Sequence, residues 1–222
     1  PEEPELADDA IALIARLEAR LAPQQRLATE LLAAVHAAPH EDGPRLVFAD
    51  ALAEQGDPRG EFIAMQFAHA RGELPMGERE RMQRLLNASG RSWHDGLDTQ
   101  VAPLSVFHKG FAHEVRMATR APDAGIPAWR LVESLDVAAI ATSLSDFLSH
   151  PHTVGVHSLR SLRGTTLQEL ARKGAARHFQ LLEVGFLGGR EFPVPAWTVD
   201  TLRLLAPIDE SAWWLVGSSG RI

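Results

Sequence analysis

The spacing of apolar residues changes near Phe107, and that change divides the chain. Before it, apolar positions recur three and four residues apart, the period of a helix with one buried stripe. Ile11, Ile14, Leu17 and Leu21 form one such stripe behind an N-cap at Asp8 or Asp9, and Pro23 is expected to interrupt it. Leu27, Leu31, Ala34 and Val35 form a second, ending at Pro39. After a turn at His40 to Gly43, Pro44 suits the first position of a helix reaching Gln55, with Leu46, Val47, Ala49 and Leu52 inward. Gly56 takes the left-handed place that ends it. Asp57 then caps the next helix, Pro58 opens it, and Phe62, Ile63 and Met65 carry it on. GELPMGE is a break, and a helix from Arg79 to Trp93 closes an all-helical half.

Beyond Phe107 short apolar alternations replace the helical stripes. The template apolar-x-x-apolar-x-apolar fits Ala112 to Met117, Val132 to Val137, Phe179 to Val184 and Val199 to Leu204. It also fits Val156 to Ser161, with a hydroxyl in last place. The central residues Val115, Leu135, Leu159, Leu182 and Leu202 are 20, 24, 23 and 20 residues apart. Those spacings fall in the roughly 20–29-residue period of leucine-rich repeats. Short helical candidates lie between strands, at Leu144, Phe147 and Leu148 and at Leu167, Leu170 and Ala171. One strand and one return per repeat is what a solenoid stacks. The repeats lack an asparagine after the strand, which marks them as irregular.

The expected fold class is therefore α+β, of the α/β solenoid type. A helical module precedes a short, irregular leucine-rich-repeat-like solenoid with a parallel sheet. Residues 1–8 are expected to form a mobile acidic lead-in, 9–100 the helical module, and 101–222 the solenoid. Side chains alternate along strands, so Arg116, Asp136, Arg160, Glu183 and Arg203 are expected on the concave side. Their charges alternate down that column, which makes it the candidate binding face.

Composition narrows the functions this fold could serve. No apolar run approaches the roughly 20 residues of a membrane span. The chain has no cysteine, which removes disulfides, thiolate nucleophiles and cysteine zinc sites. With no secretory segment at its start, a cytoplasmic location is expected. Pro1 in place of methionine predicts a processed or excised chain. The net charge of −7 makes nucleic acid a poor first partner.

The stretch PRLVFADALAEQGDPRGEFIAMQ, Pro44 to Gln66, resembles the bacterial repeat-companion domain, a helical module found beside leucine-rich-type repeats in large-genome bacteria. Pro44 to Asp50 match that family's pattern, as do Leu52, Glu54, Gly56 to Ile63 and Gln66. Ala51 stands where the family has tryptophan, implying a smaller local contact. The resemblance extends from near Leu27 to Gln66. It implies a neighbouring set of repeats and no defined reaction.

Six charges in this stretch, Arg45, Asp50, Glu54, Asp57, Arg59 and Glu61, invite an acid–base reading, since paired carboxylates can do such chemistry. A structural clasp explains them with less. Arg45 and Asp50 flank one helix, Asp57 is a cap, and Arg59 and Glu61 sit across a tight corner. Elsewhere, Asp146, His150 and His152 have spacing that can chelate a transition metal, but Pro151 places them in a loop with nothing to hold the geometry. Arg160, Arg163, Arg172, Lys173 and Arg177 form a basic group suited to phosphate or nucleic acid, or to a solvated solenoid face. Trp213 and Trp214 are expected to cap the last repeat. No G-x-S-x-G, H-E-x-x-H, P-loop or G-x-G-x-x-G occurs. The expected role is a non-catalytic scaffold for another protein, with no cofactor and no metal. The alternatives are a metal-dependent enzyme built on Asp146, His150 and His152, and phosphate or nucleic-acid binding through Arg160 to Arg177.

Overall fold

Helix α1 (Glu3–Ala37) runs through Pro23 instead of stopping there. A proline inside a helix costs roughly 3 kcal/mol, and the alanine, leucine, arginine and glutamine around it are strong helix formers that offset this. The segment expected to be a mobile lead-in over 1–8 is helical from Glu3 onward. The computed structural model describes residues 3–140, 143–163, 166, 169–170, 179, 181–184, 215–217 and 220–221. Ile11 and Ile14, expected inward, are 64% and 55% exposed. These two positions have helical spacing but no covering neighbour among the described residues. Helix α1 meets the next helix, and Val35 and His36 in its C-terminal turns are buried.

Helix α2 (Asp42–Glu54) and helix α3 (Pro58–Ala70) form a tight hairpin. The buried stripe of α2 is Arg45, Phe48, Ala49 and Leu52, at helical spacing. Leu46 and Val47, expected inward, point to solvent because they lie off that stripe. The polar Arg45 occupies a place that a reading by hydrophobicity alone assigns elsewhere. Gly56 turns the corner at φ 73°, as expected of a helix-ending glycine. Gly60 lets the helices touch. A Cβ there would lie 2.5 Å from Ala53 N and 2.6 Å from Ala49 O.

Helix α4 (Met76–Ser89) and a 3₁₀ turn (Gly90–Trp93) follow. By contacts the chain divides into Pro1–Leu85 and Leu86–Ile222, earlier than the boundary expected at residue 100. The reason is visible in the segment just before the first strand. Val101 bridges Met117, Ala102 N donates to Arg116 O, and Trp93 and Leu97 are buried.

The second unit is a mixed sheet whose strands lie in chain order. Strands β1 (Val106–His108) and β2 (Phe111–Arg116) form an antiparallel hairpin. Lys109 and Gly110 turn it at φ 49° and 88°, the left-handed pair that a two-residue hairpin with the twist of its strands requires. Strands β3 (Ser134–Asp136), β4 (Ser158–Leu162), β5 (Leu181–Val184) and β6 (Leu215–Gly217) then add in parallel. Strand β7 (Gly220–Arg221) closes the order as an antiparallel partner of β6. The architecture is α+β: helices, then this mixed sheet.

The expected register holds over four strands. Val115 stands opposite Leu135, Leu135 opposite Leu159, and Leu159 opposite Leu182. The strand paired to β5 is β6, with Leu215 opposite Leu182. The expected strand at 199–204 lies outside the described residues, as do Trp213 and Trp214. Behind the sheet, the parallel connections supply the core. A 3₁₀ turn (Pro127–Leu131) buries Trp129, and α5 (Leu144–Leu148) buries Leu144, Phe147 and Leu148. Trp129 meets Phe147 edge-on at 5.1 Å, and its Nε1 donates to Asp123 O.

Candidate functional site

The polar side of the sheet follows from the burial of the other side. With Val115, Leu135 and Leu159 buried, the residues on either side of each must face the opposite way. Those are Glu114 and Arg116, Ser134 and Asp136, and Ser158 and Arg160, aligned across β2, β3 and β4. Arg116 is therefore directly beside Asp136, and Asp136 beside Arg160, as the sequence led us to expect.

The ion pairing is not the expected ladder. Arg116 Nε donates to Asp136 Oδ2 at 3.0 Å, and Ala138 N donates to Asp136 Oδ1 at 3.1 Å. Arg160 does not add to that pair. Its Nη2 lies 3.2 Å from Glu114 Oε2, two strands away. The intervening position is Ser134, small enough to let a guanidinium pass. Glu114 was absent from the expected column, although its place two residues before Arg116 on one strand face was a usable signal.

The column also loses its one-to-one register at β5. Leu159 opposes Leu182 and Leu162 opposes Val184, so Arg160 and Ser161 together stand against Glu183. Ser161 sits at φ 59°, the left-handed place of a β-bulge. Nothing in the template predicts an extra residue there. Arg203 lies outside the described residues.

A second row lies one residue earlier along the same three chain segments, at His113, Glu133 and His157. Glu133 Oε2 accepts from His157 Nε2 at 3.0 Å and lies 3.8 Å from His113 Nε2. The backbone reinforces it: Glu133 N donates to His113 O, and His157 N to Glu133 O. The His113 ring in turn lies 5.2 Å from that of His108. This row occupies the position after the first apolar residue of each template, and the sequence reading passed over it.

Alongside the sheet face, the segment before β1 forms a wall. Ala102, Pro103, Leu104 and Val106 border a groove of about 430 Å³ whose floor carries Glu114, Arg116, Ser134, Asp136 and Arg160. The groove has polar groups on its floor and aliphatic groups on its wall.

Four of the five clasp candidates are held in structural contacts. Asp57 accepts from Arg59 N at 2.8 Å as the cap of α3. Arg45 is buried, and its Nη2 donates to Pro39 O. Arg59 is buried with its guanidinium 5.4 Å from the Phe48 ring centroid, a cation–π approach. Glu61 pairs with Arg81 of α4 at 2.6 Å, a partner the sequence reading missed. Asp50 is exposed and joins no ion pair among the described residues.

Asp146 is exposed on α5, while His150 and His152 sit at the 3₁₀ turn (Pro151–Thr153) that follows. His150 Nδ1 accepts from His152 N at 3.2 Å, and His152 Nδ1 donates to Gly125 O at 3.0 Å. Each ring thus spends one nitrogen on backbone. Among the described residues no group of three or more histidine, aspartate or glutamate side chains is arranged to hold a metal. Of the basic group, Arg163 Nη2 donates to Ala138 O at 3.1 Å. Arg172, Lys173 and Arg177 lie outside the described residues. No helix is long and apolar enough to cross a membrane, again among the described residues.

Comparison with family models, with curated proteins and with solved structures finds no match to this chain.

Proposed function

We propose that this chain is a non-catalytic protein–protein interaction module, an adaptor or regulatory part of a bacterial cytoplasmic protein. On this reading the helical segment is a repeat-companion-like module, and the sheet is the strand face of a short, irregular leucine-rich-repeat-like solenoid. The partner binds the polar sheet face, with Arg116, Asp136 and Arg160 at its centre and Glu183 and Arg203 continuing it. One observation carries the reading: strands spaced 20, 24 and 23 residues apart in sequence align their central residues side by side, and on β2, β3 and β4 apolar groups lie behind and charges in front. Such stacking makes an extended, repeated surface, which is what repeat proteins use for recognition. The clasp residues support a structural role for the helical segment, because Asp57, Arg45 and Arg59 are occupied in capping and packing.

The test is capture from bacterial cytosol with the full chain as bait. A partner retained by the native chain should be lost from a variant carrying Arg116→Glu and Arg160→Glu. Equal capture by a folded variant would refute binding through this face.

A further inference from the structure

Resting on that reading of the sheet face, we infer that the groove beside β1 takes an acidic–aliphatic peptide segment of the partner protein, in extended form. The first argument is the balance of donors and acceptors. Both oxygens of Asp136 are engaged, by Arg116 Nε and Ala138 N, and Glu114 Oε2 is engaged by Arg160. Each arginine spends one nitrogen on these bonds, whereas a guanidinium carries five N–H donors in a planar fork. The two guanidinium groups therefore keep most of their N–H donors for a ligand.

Exposure points the same way. The side chains of Arg116 and Arg160 are 68% and 44% exposed, those of Asp136 and Glu114 only 17% and 34%. A ligand entering the groove meets guanidinium edges first. Carboxylates suit them, because the planar fork accepts a carboxylate through two parallel hydrogen bonds.

The wall selects between acidic ligands. Leu104 and Val106 are 90% and 54% exposed, next to Pro103, and together they border the groove. An aliphatic side chain covering them would remove apolar surface from water at about 25 cal/mol per Å². A phosphate backbone offers nothing to that wall. It also depends on net positive charge, and here two arginines are balanced by two carboxylates. An extended peptide matches both features, since successive side chains alternate between floor and wall.

The test uses fluorescein-labelled peptides and the full chain, read by anisotropy at low salt. A peptide of alternating glutamate and leucine should bind at least tenfold more tightly than its glutamine–leucine, glutamate–serine and lysine–leucine counterparts. Arg116→Gln with Arg160→Gln should weaken it at least tenfold. Leu104→Ser should do so as well, at an exposed position where the fold is insensitive. Equal binding of the glutamine–leucine or lysine–leucine peptide would overturn the inference while leaving the interaction module intact. Inorganic polyphosphate binding more tightly than the peptide, and displacing it, would overturn it in favour of a polyanion. Absence of binding by every peptide also overturns it. The capture experiment above then decides the interaction reading separately, because it assumes nothing about peptide chemistry.

Discussion

Arg160 on β4 places Nη2 3.2 Å from Glu114 Oε2 on β2, passing over β3 and leaving Asp136, its direct neighbour, to Arg116. Two interleaved ion pairs thus tie three parallel strands together on their polar side. Each is partly exposed, so its net contribution is at most about 1 kcal/mol. Their value lies in fixing where the guanidinium edges point.

Charge reversal at Arg160 tests this pairing. Arg160→Glu sets a third carboxylate beside Glu114 and Asp136, and we expect a stability loss of about 1 kcal/mol with the fold retained. Adding Glu114→Arg should recover that loss, and adding Glu183→Arg should not, because the bulge at Ser161 takes Glu183 out of one-to-one register. Urea midpoints of the three chains decide it. Recovery by Glu183→Arg alone would reinstate the simple alternating column.

Ser134 is buried on the line between Arg160 and Glu114. Ser134→Leu should block the crossing guanidinium and cost about 1–3 kcal/mol through overpacking. More tellingly, the coupling energy between Arg160 and Glu114 in a double-mutant cycle should fall to zero in that background. A coupling that persists would mean the two side chains meet by another path.

The α2–α3 corner should respond as a structural clasp. Asp57→Ala removes the cap of α3 and should cost about 0.5–2 kcal/mol. Gly60→Ala forces a Cβ against the backbone of Ala49 and Ala53 and should cost at least as much, about 1–3 kcal/mol. Thermal unfolding of both variants measures this. Native stability in Gly60→Ala would show that the helices sit farther apart.

At the His150 turn, backbone contacts account for the ring positions. His150→Ala should cost about 0.5–1.5 kcal/mol through the lost hydrogen bond to His152 N. Protein purified without a histidine tag should carry no stoichiometric zinc, nickel or manganese, before or after the change. One metal per chain by elemental analysis, lost in His150→Ala, would point to the enzyme reading instead.

Local rules were legible in the chain because they depend on neighbours a few residues away. Asp57 caps and Gly56 turns for reasons contained in the GDPRG segment itself. The strand register was legible too, since Val115, Leu135, Leu159 and Leu182 repeat one pattern and stand side by side, the first three of them buried. Other outcomes needed the assembled fold. Periodicity marks an apolar stripe on α1, but whether Ile11 and Ile14 are covered depends on what packs there. On α2, Arg45 rather than Leu46 or Val47 faces inward because the stripe is set by where α1 and α3 lie, not by hydrophobicity alone. The bulge at Ser161 and the reach of Arg160 to Glu114 likewise follow from strands brought together by long connections. Sequence sets which residues share a face, within an element. The partner it meets across a strand or a helix is decided by tertiary packing, because that is what sets the distances between residues far apart in the chain.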